Sequence, residues 1–134
     1  MKPAHYMIQV KNLETAVSFY ERALGFTVAD RHRYPGATIV YMRGPDSVFE
    51  LELLAPDKWD YAHLPEPGRT HIAFTVEDLE AQHARLTGLA ITVDPVSDYV
   101  TNGIHQTRYF YFYDSEGNQI EFLEPHGRYA SERS

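Results

Sequence analysis

Two histidines and two glutamates recur in this chain at matching places, and together they are the donor types of a metal centre. His5 opens the run His5-Tyr6-Met7-Ile8-Gln9-Val10, and His71 opens the run His71-Ile72-Ala73-Phe74-Thr75-Val76. Both runs are rich in β-formers and read as strands. Glu50 and Glu121 each lie in the middle of a later run, Val48-Phe49-Glu50-Leu51 and Gln119-Ile120-Glu121-Phe122. A mid-strand carboxylate bracketed by large apolar residues is expensive to bury without a partner: it must be paired or take up a proton. Taken singly, each His reads as an ordinary strand histidine and each Glu as a tolerated strand charge. The joint repetition points instead to one metal site built from His5, Glu50, His71 and Glu121. Glu52 lies on the same face as Glu50 and is the other candidate in the first half, and alignment of the two repeats selects Glu50.

The elements that must position these residues also repeat. In each copy the His precedes a Val by five residues, Asn12 or Asp78 by seven, and a Leu-Glu pair by eight and nine, a period of about 66 residues. That is too long for a solenoid and suggests two copies of one module related by a pseudo-twofold axis. Asn12 can cap a helix with apolar Leu13, Ala16, Val17, Tyr20 and Leu24 on one face, closed by Gly25. Strands are expected over 27–32, 38–43 and 47–54, with Tyr34-Pro35-Gly36 and Gly44-Pro45-Asp46 as turns. The second helix is expected over 79–87, ending at Gly88, followed by a strand at 90–94 and a long strand at 106–113. Asp114-Ser115-Glu116-Gly117-Asn118 reads as a tight turn into the last strand, because its short polar side chains bond the local backbone and Gly117 is free to take positive φ. Module one then spans 1–56 and module two 70–126 of a single domain over 1–134. The linker is 57–69, and 127–134 is a frayed tail.

The bulk properties set bounds. At 134 residues, with 43% hydrophobic and 13% aromatic residues, the chain has the content of one folded domain. A formal charge of -7 with no basic run argues against nucleic acid or an anionic membrane as partner. There is no Cys, so disulfide and thiolate chemistry are excluded. No stretch approaches the length of a membrane span, and Met1-Lys2-Pro3-Ala4-His5 lacks the apolar core of a signal peptide, so a cytoplasmic setting is expected.

In order and spacing the motifs resemble the vicinal oxygen chelate superfamily, which includes glyoxalase I, methylmalonyl-CoA epimerase, extradiol dioxygenases, fosfomycin-resistance enzymes and bleomycin-resistance proteins. The carriers are the His5 strand, the Asn12-Leu13 helix with Phe19-Tyr20 and Leu24-Gly25, Val48-Phe49-Glu50-Leu51, His71-Ile72-Ala73-Phe74, and Asp114 with Gly117-Asn118 and Ile120-Glu121. The resemblance implies an α+β fold of two βαβββ modules forming a cupped mixed sheet, one divalent metal and a homodimer. The substrate is expected to be a small molecule that chelates the metal through two adjacent oxygens. An N2O2 donor set suits Ni, Zn, Co, Mn or Fe. With four ligands the pattern is similar to glyoxalase I and the epimerases. That similarity implies a lyase or isomerase in which Glu50 and Glu121 are base and acid for proton transfer through an enediolate.

Two departures bear on the substrate. Glutathione-using members carry an Arg two pleats after the first His, where this chain has Gln9. The approach to the last strand is aromatic, and strand parity puts Tyr109, Tyr111 and Tyr113 on the side of Glu121 as a pocket wall. Trp59, in the linker with His63, is expected at a lid or a dimer contact. Gln9, Tyr109, Tyr111 and Trp59 are therefore the expected substrate-binding residues. One rival is a non-haem Fe(II) dioxygenase using His5, His71 and Glu121, because Phe110-Tyr111 ahead of Glu121 resembles the extradiol pattern and His105 could supply a second acid-base group. Another is a metal-free drug-binding resistance protein, against which the four retained ligands argue. His83 is expected at a helix surface or in helix packing rather than as a ligand, and His126 without a partner.

Overall fold

The computed structural model describes residues 1–45, 49–59 and 70–130. The chain divides into two compact units, Met1–Leu64 and Pro65–Ser134. The first contains β1 (His5–Gln9), α1 (Leu13–Leu24), β2 (Thr27–Tyr34), β3 (Ala37–Arg43) and β4 (Glu50–Pro56). The second contains β5 (His71–Thr75), α2 (Leu79–Gly88), β6 (Ser97–Thr101), β7 (Ile104–Tyr113) and β8 (Gln119–Leu123). Each unit forms a four-stranded mixed sheet, in the orders β1-β4-β3-β2 and β5-β8-β7-β6. The first strand of each runs parallel to the last, and the other pairs are antiparallel. This is the α+β, paired βαβββ architecture expected from the repeat.

The helices start and stop where side-chain chemistry allows. Asn12 and Asp78 are N-caps whose side-chain oxygens accept from Thr15 N and Ala81 N, each at 3.0 Å. They satisfy amide donors that the first helical turn leaves without intrahelical partners. Gly25 closes α1 in the left-handed conformation, φ 67°. The second helix runs through Gly88, and the left-handed residue there is Ala90, φ 60°. Pro35-Gly36 makes the two-residue turn between β2 and β3, with Gly36 at φ 86°.

One face of each sheet is covered by its helix. In the first unit Ile8, Val10, Val40, Met42, Leu51 and Leu53 are buried with Ala16, Val17, Phe19, Tyr20 and Ala23 of α1. In the second, Phe110, Phe112, Ile120 and Phe122 are buried with Leu79 and Leu86 of α2. Burying each of these large side chains is worth about 1.5–3 kcal/mol, which fixes strand register, because a one-residue slip would turn this set to the opposite face. The uncovered face of each sheet therefore takes the alternate residues, and the polar candidates lie there.

Three expectations fail locally. Residues 90–94 do not form a strand: only Val93 bridges to Phe112, and the fourth strand of the second sheet is β6, which starts at Ser97. Pro95 has no amide to donate to a ladder. The tail is not wholly frayed. Gly127–Tyr129 form a 3-10 turn beside β7, and His126 Nδ1 lies 3.0 Å from Gln106 O, so His126 has a partner. Gly127 has φ 57°, and a Cβ there would clash with the Gln106 carbonyl. The expected β4 start at residue 47 lies outside the described residues, as does most of the linker.

Candidate functional site

The open face of the first sheet carries His5, Met7 and Gln9 on β1, with Glu50, Glu52 and Leu54 opposite them on β4. Tyr41 pairs with Glu52 and Arg43 with Glu50 on β3. The open face of the second sheet carries His71, Ala73 and Thr75, then Gln119, Glu121 and Leu123, then Tyr113, Tyr111 and Tyr109.

Within the second unit His71 Nε2 lies 2.9 Å from Glu121 Oε2, and the Glu121 side chain is 13% exposed. The His71 ring meets Tyr111 edge-on at 5.4 Å between centroids, and Tyr111 stacks likewise on Tyr109 at 5.4 Å. In the first unit the corresponding pair is His5 with Glu52, Nε2 to Oε2 2.7 Å, with Glu52 11% exposed. The His5 ring meets Tyr41 edge-on at 6.0 Å. An ionised carboxylate can only accept, so in both pairs the imidazole N–H donates.

Glu50 is the metal ligand expected in the first half, with Glu52 as the other candidate, and the carboxylate that lies against His5 is Glu52. Glu50 is brought to Arg43, 2.7 Å from Nη2 to Oε2. The register explains why. Val10 N donates to Leu54 O and Val76 N donates to Leu123 O, so Leu54 matches Leu123 and Glu52 matches Glu121. Glu50 matches Gln119. The sequence held a signal for this: Glu52 stands four residues before Pro56, as Glu121 stands four before Pro125. Tyr41, the first unit's counterpart of Tyr111, was also missed.

Burial shifts the Glu121 carboxyl and the Tyr111 and Tyr41 phenols. Burial pushes the Glu121 carboxyl upward, while the charge of His71 and its hydrogen bond pull it down. Tyr111 is raised by burial first, then by the neighbouring Glu121 charge, so its hydroxyl stays protonated. The Tyr41 hydroxyl is raised by the same two causes, burial and then Glu52. Tyr113 donates to Asp94 Oδ2 at 2.8 Å, a bond that its ionisation would forfeit, and its pKa is raised accordingly. Gln119 Nε2 reaches the same phenol oxygen at 3.5 Å.

Each pair has the donor types and the spacing of two ligands on one ion. Two donors bound at right angles about 2.1 Å from one ion stand about 3 Å apart, and the observed separations are 2.7 and 2.9 Å. Within each unit, among the described residues, the cluster stops at two, with no third His, Asp or Glu converging. Of the expected substrate-binding residues, Tyr109 and Tyr111 share the open face with Glu121, and Gln9 lies exposed on the face of His5. Trp59 is occupied by Lys11, whose ammonium lies 5.2 Å from the ring centroid. His83 is held by Asp94 O at 2.9 Å and packs on Phe110. His105 pairs with Asp98 at 3.0 Å.

Two βαβββ units, each with an imidazole–carboxylate pair at the same register of its open face, define a duplicated-module protein. The chain belongs to the Glyoxalase/Bleomycin resistance protein/Dioxygenase superfamily, whose sequence model matches residues 2–122. Among its relatives is the uncharacterised protein YwbC of Bacillus subtilis (strain 168), 28% identical over 127 residues, covering 90% of this chain and 94% of that protein. A trypanothione-dependent glyoxalase I of Leishmania major is 26% identical with a TM-score of 0.67, covering 92% of this chain and 86% of that one. TnmS3, an antibiotic-binding protein of Streptomyces sp. CB03234, shares the fold with a TM-score of 0.73 at 21% identity, covering 93% of this chain and 96% of its own. No helix among the described residues is long and apolar enough to cross a membrane.

Proposed function

We propose that this chain is a divalent-metal-dependent lyase or isomerase of the glyoxalase I kind, with His5, Glu52, His71 and Glu121 as the metal ligands. The observation that carries this reading is the doubled pair: His5–Glu52 at 2.7 Å and His71–Glu121 at 2.9 Å, at one register in both units. Nothing in a βαβββ fold demands an imidazole against a near-buried carboxylate, and this chain makes the arrangement twice. The likeness to a glyoxalase I at 26% identity supports the same class.

A bound divalent metal supplies Lewis-acid polarisation to a substrate with two adjacent oxygens. The chain's own groups do the rest. A carboxylate whose affinity for protons is raised by burial, as for Glu121, is suited to take a proton from carbon next to a carbonyl near neutral pH. Glu52 is its counterpart for proton return. With an ion bound, the Nε2 lone pairs of His5 and His71 would hold it beside the two carboxylates, in place of the hydrogen bonds that join each pair in the free chain. Tyr111, opposite Glu121 in register and held protonated, can donate to a substrate oxygen.

The test is metal content after purification without added ions, followed by exchange of substrate carbon-bound hydrogen with deuterated water. One divalent ion per chain, and exchange that stops on chelation and returns with the ion, is the expected result. A protein that binds no divalent metal ends this reading in favour of a metal-free binder. Substrate-dependent oxygen uptake would move it to the dioxygenases.

A further inference from the structure

The first sheet's open face continues past the His5–Glu52 pair into an open cleft of about 300 Å³, lined by Ala29, Asp30, His32, Tyr41, Arg43 and Glu50. A single irregularity builds it. Val28 pairs with Met42 but Asp30 pairs with Tyr41, so Ala29 is an extra residue in β2. Without that bulge Asp30 would fall on the helix-covered side. With it, Asp30 and His32 turn to the open face. The fold does not require charge here. At the positions of Arg43 and Glu50 the second unit has Tyr113 and Gln119, a neutral pair in the same register.

The lining is unsuited to an apolar ligand, whose sites are predominantly hydrophobic. It is also unsuited to an anion. Arg43 is neutralised by Glu50 at 2.7 Å, and a second carboxylate, Asp30, faces the same space. His32, 2.8 Å from Asp30 Oδ2, holds that carboxyl below its usual range, so it remains an acceptor. A cation would find Asp30 and Glu50, but also the Arg43 guanidinium. What matches acceptor-only carboxylates beside a donor-only guanidinium is a neutral group that both donates and accepts, namely neighbouring hydroxyls. Imidazole and phenol rings flank the polar groups, with His32 5.9 Å from both Tyr34 and Tyr41, and offer faces for the C–H side of such a chain.

We propose that the substrate carries a neutral polyhydroxylated arm, seated in this cleft between Asp30, Arg43 and Glu50. This rests on the enzyme reading above for the reacting end of the molecule, while the arm's binding depends on the cleft alone. The test is binding of ribitol, ribonate and 1-amino-1-deoxyribitol to the full chain, in chelator and again with added divalent metal, followed by saturation-transfer NMR and calorimetry. Ribitol should bind in the millimolar range without metal, more tightly than either charged analogue. Asp30→Ala and Arg43→Met should each weaken it roughly tenfold or more, with circular dichroism unchanged, whereas Glu121→Gln should not. Tighter binding of ribonate or of the amine, no saturation by ribitol below about 50 mM, or indifference to both substitutions would overturn the proposal. Loss of the metal site in the content assay, with ribitol binding intact, would remove the enzyme reading and leave the polyol cleft standing.

Discussion

Glu50 and Glu52 are two residues apart on one strand face, and exchanging each for Gln in turn tests the register argument directly. Glu52 accepts from His5 at 2.7 Å and its side chain is 11% exposed. Its replacement by Gln keeps an acceptor for the imidazole but removes the anionic donor. Removing even an outer-shell partner of a metal ligand costs about 10–100-fold in affinity, so losing the ligand itself should cost at least about 100-fold, close to 3 kcal/mol at about 1.4 kcal/mol per decade. Glu50 faces Arg43, whose side chain is half exposed, and exposed ion pairs are worth about 0–1 kcal/mol. Its replacement should therefore change metal affinity by less than about fivefold. The two variants should differ by at least about twentyfold, read by competition against a chromophoric chelator and by mass spectrometry of the purified proteins. Turnover should follow the same order, with Glu52→Gln losing about 100-fold or more, the scale of a general acid or base. In chelator both variants should melt near the parent temperature, because neither removes packing. If Glu50→Gln lost the metal and Glu52→Gln kept it, the strand register would not decide the ligands.

Three further outcomes are expected. Asp114 is buried and its carboxylate accepts from Glu116 N, Asn118 N and Asn118 Nδ2, each at 2.9 Å. At about 1 kcal/mol per hydrogen bond, Asp114→Ala should cost about 2–3 kcal/mol in denaturant unfolding, and a loss under about 0.5 kcal/mol would show that the turn does not rely on it. Tyr113 has its pKa raised by its bond to Asp94, so the stability it contributes is complete below its unfolded pKa and is lost as pH rises through the folded one. Its phenolate absorbance should appear at higher pH than that of an exposed tyrosine, and Asp94→Ala should bring it down. Gly127→Ala combines positive φ with a clash against Gln106 O. It should free the 3-10 turn from β7, seen as faster amide exchange over 127–130 with the sheets still protected.

The fold was legible because its determinants are local and were written twice. Asn12 and Asp78 announce helix starts, Gly25 and Pro35-Gly36 announce ends and turns, and apolar residues at periods of two and 3.6 sort the faces. The His on each first strand and Glu121 on the last could be found from that repetition. Glu52 could not be chosen over Glu50 with the same certainty, because both obey the same alternation. Only hydrogen bonding between strands distant in sequence, Val10 to Leu54 and Val76 to Leu123, decides which carboxylate lies against the imidazole. The bulge at Ala29 is a decision of the same kind, since an extra residue is visible only against its partner strand. Strand existence and side-chain alternation belong to the sequence because they are set within a few residues. Register and bulges belong to the tertiary structure because they are set by what each strand is paired with.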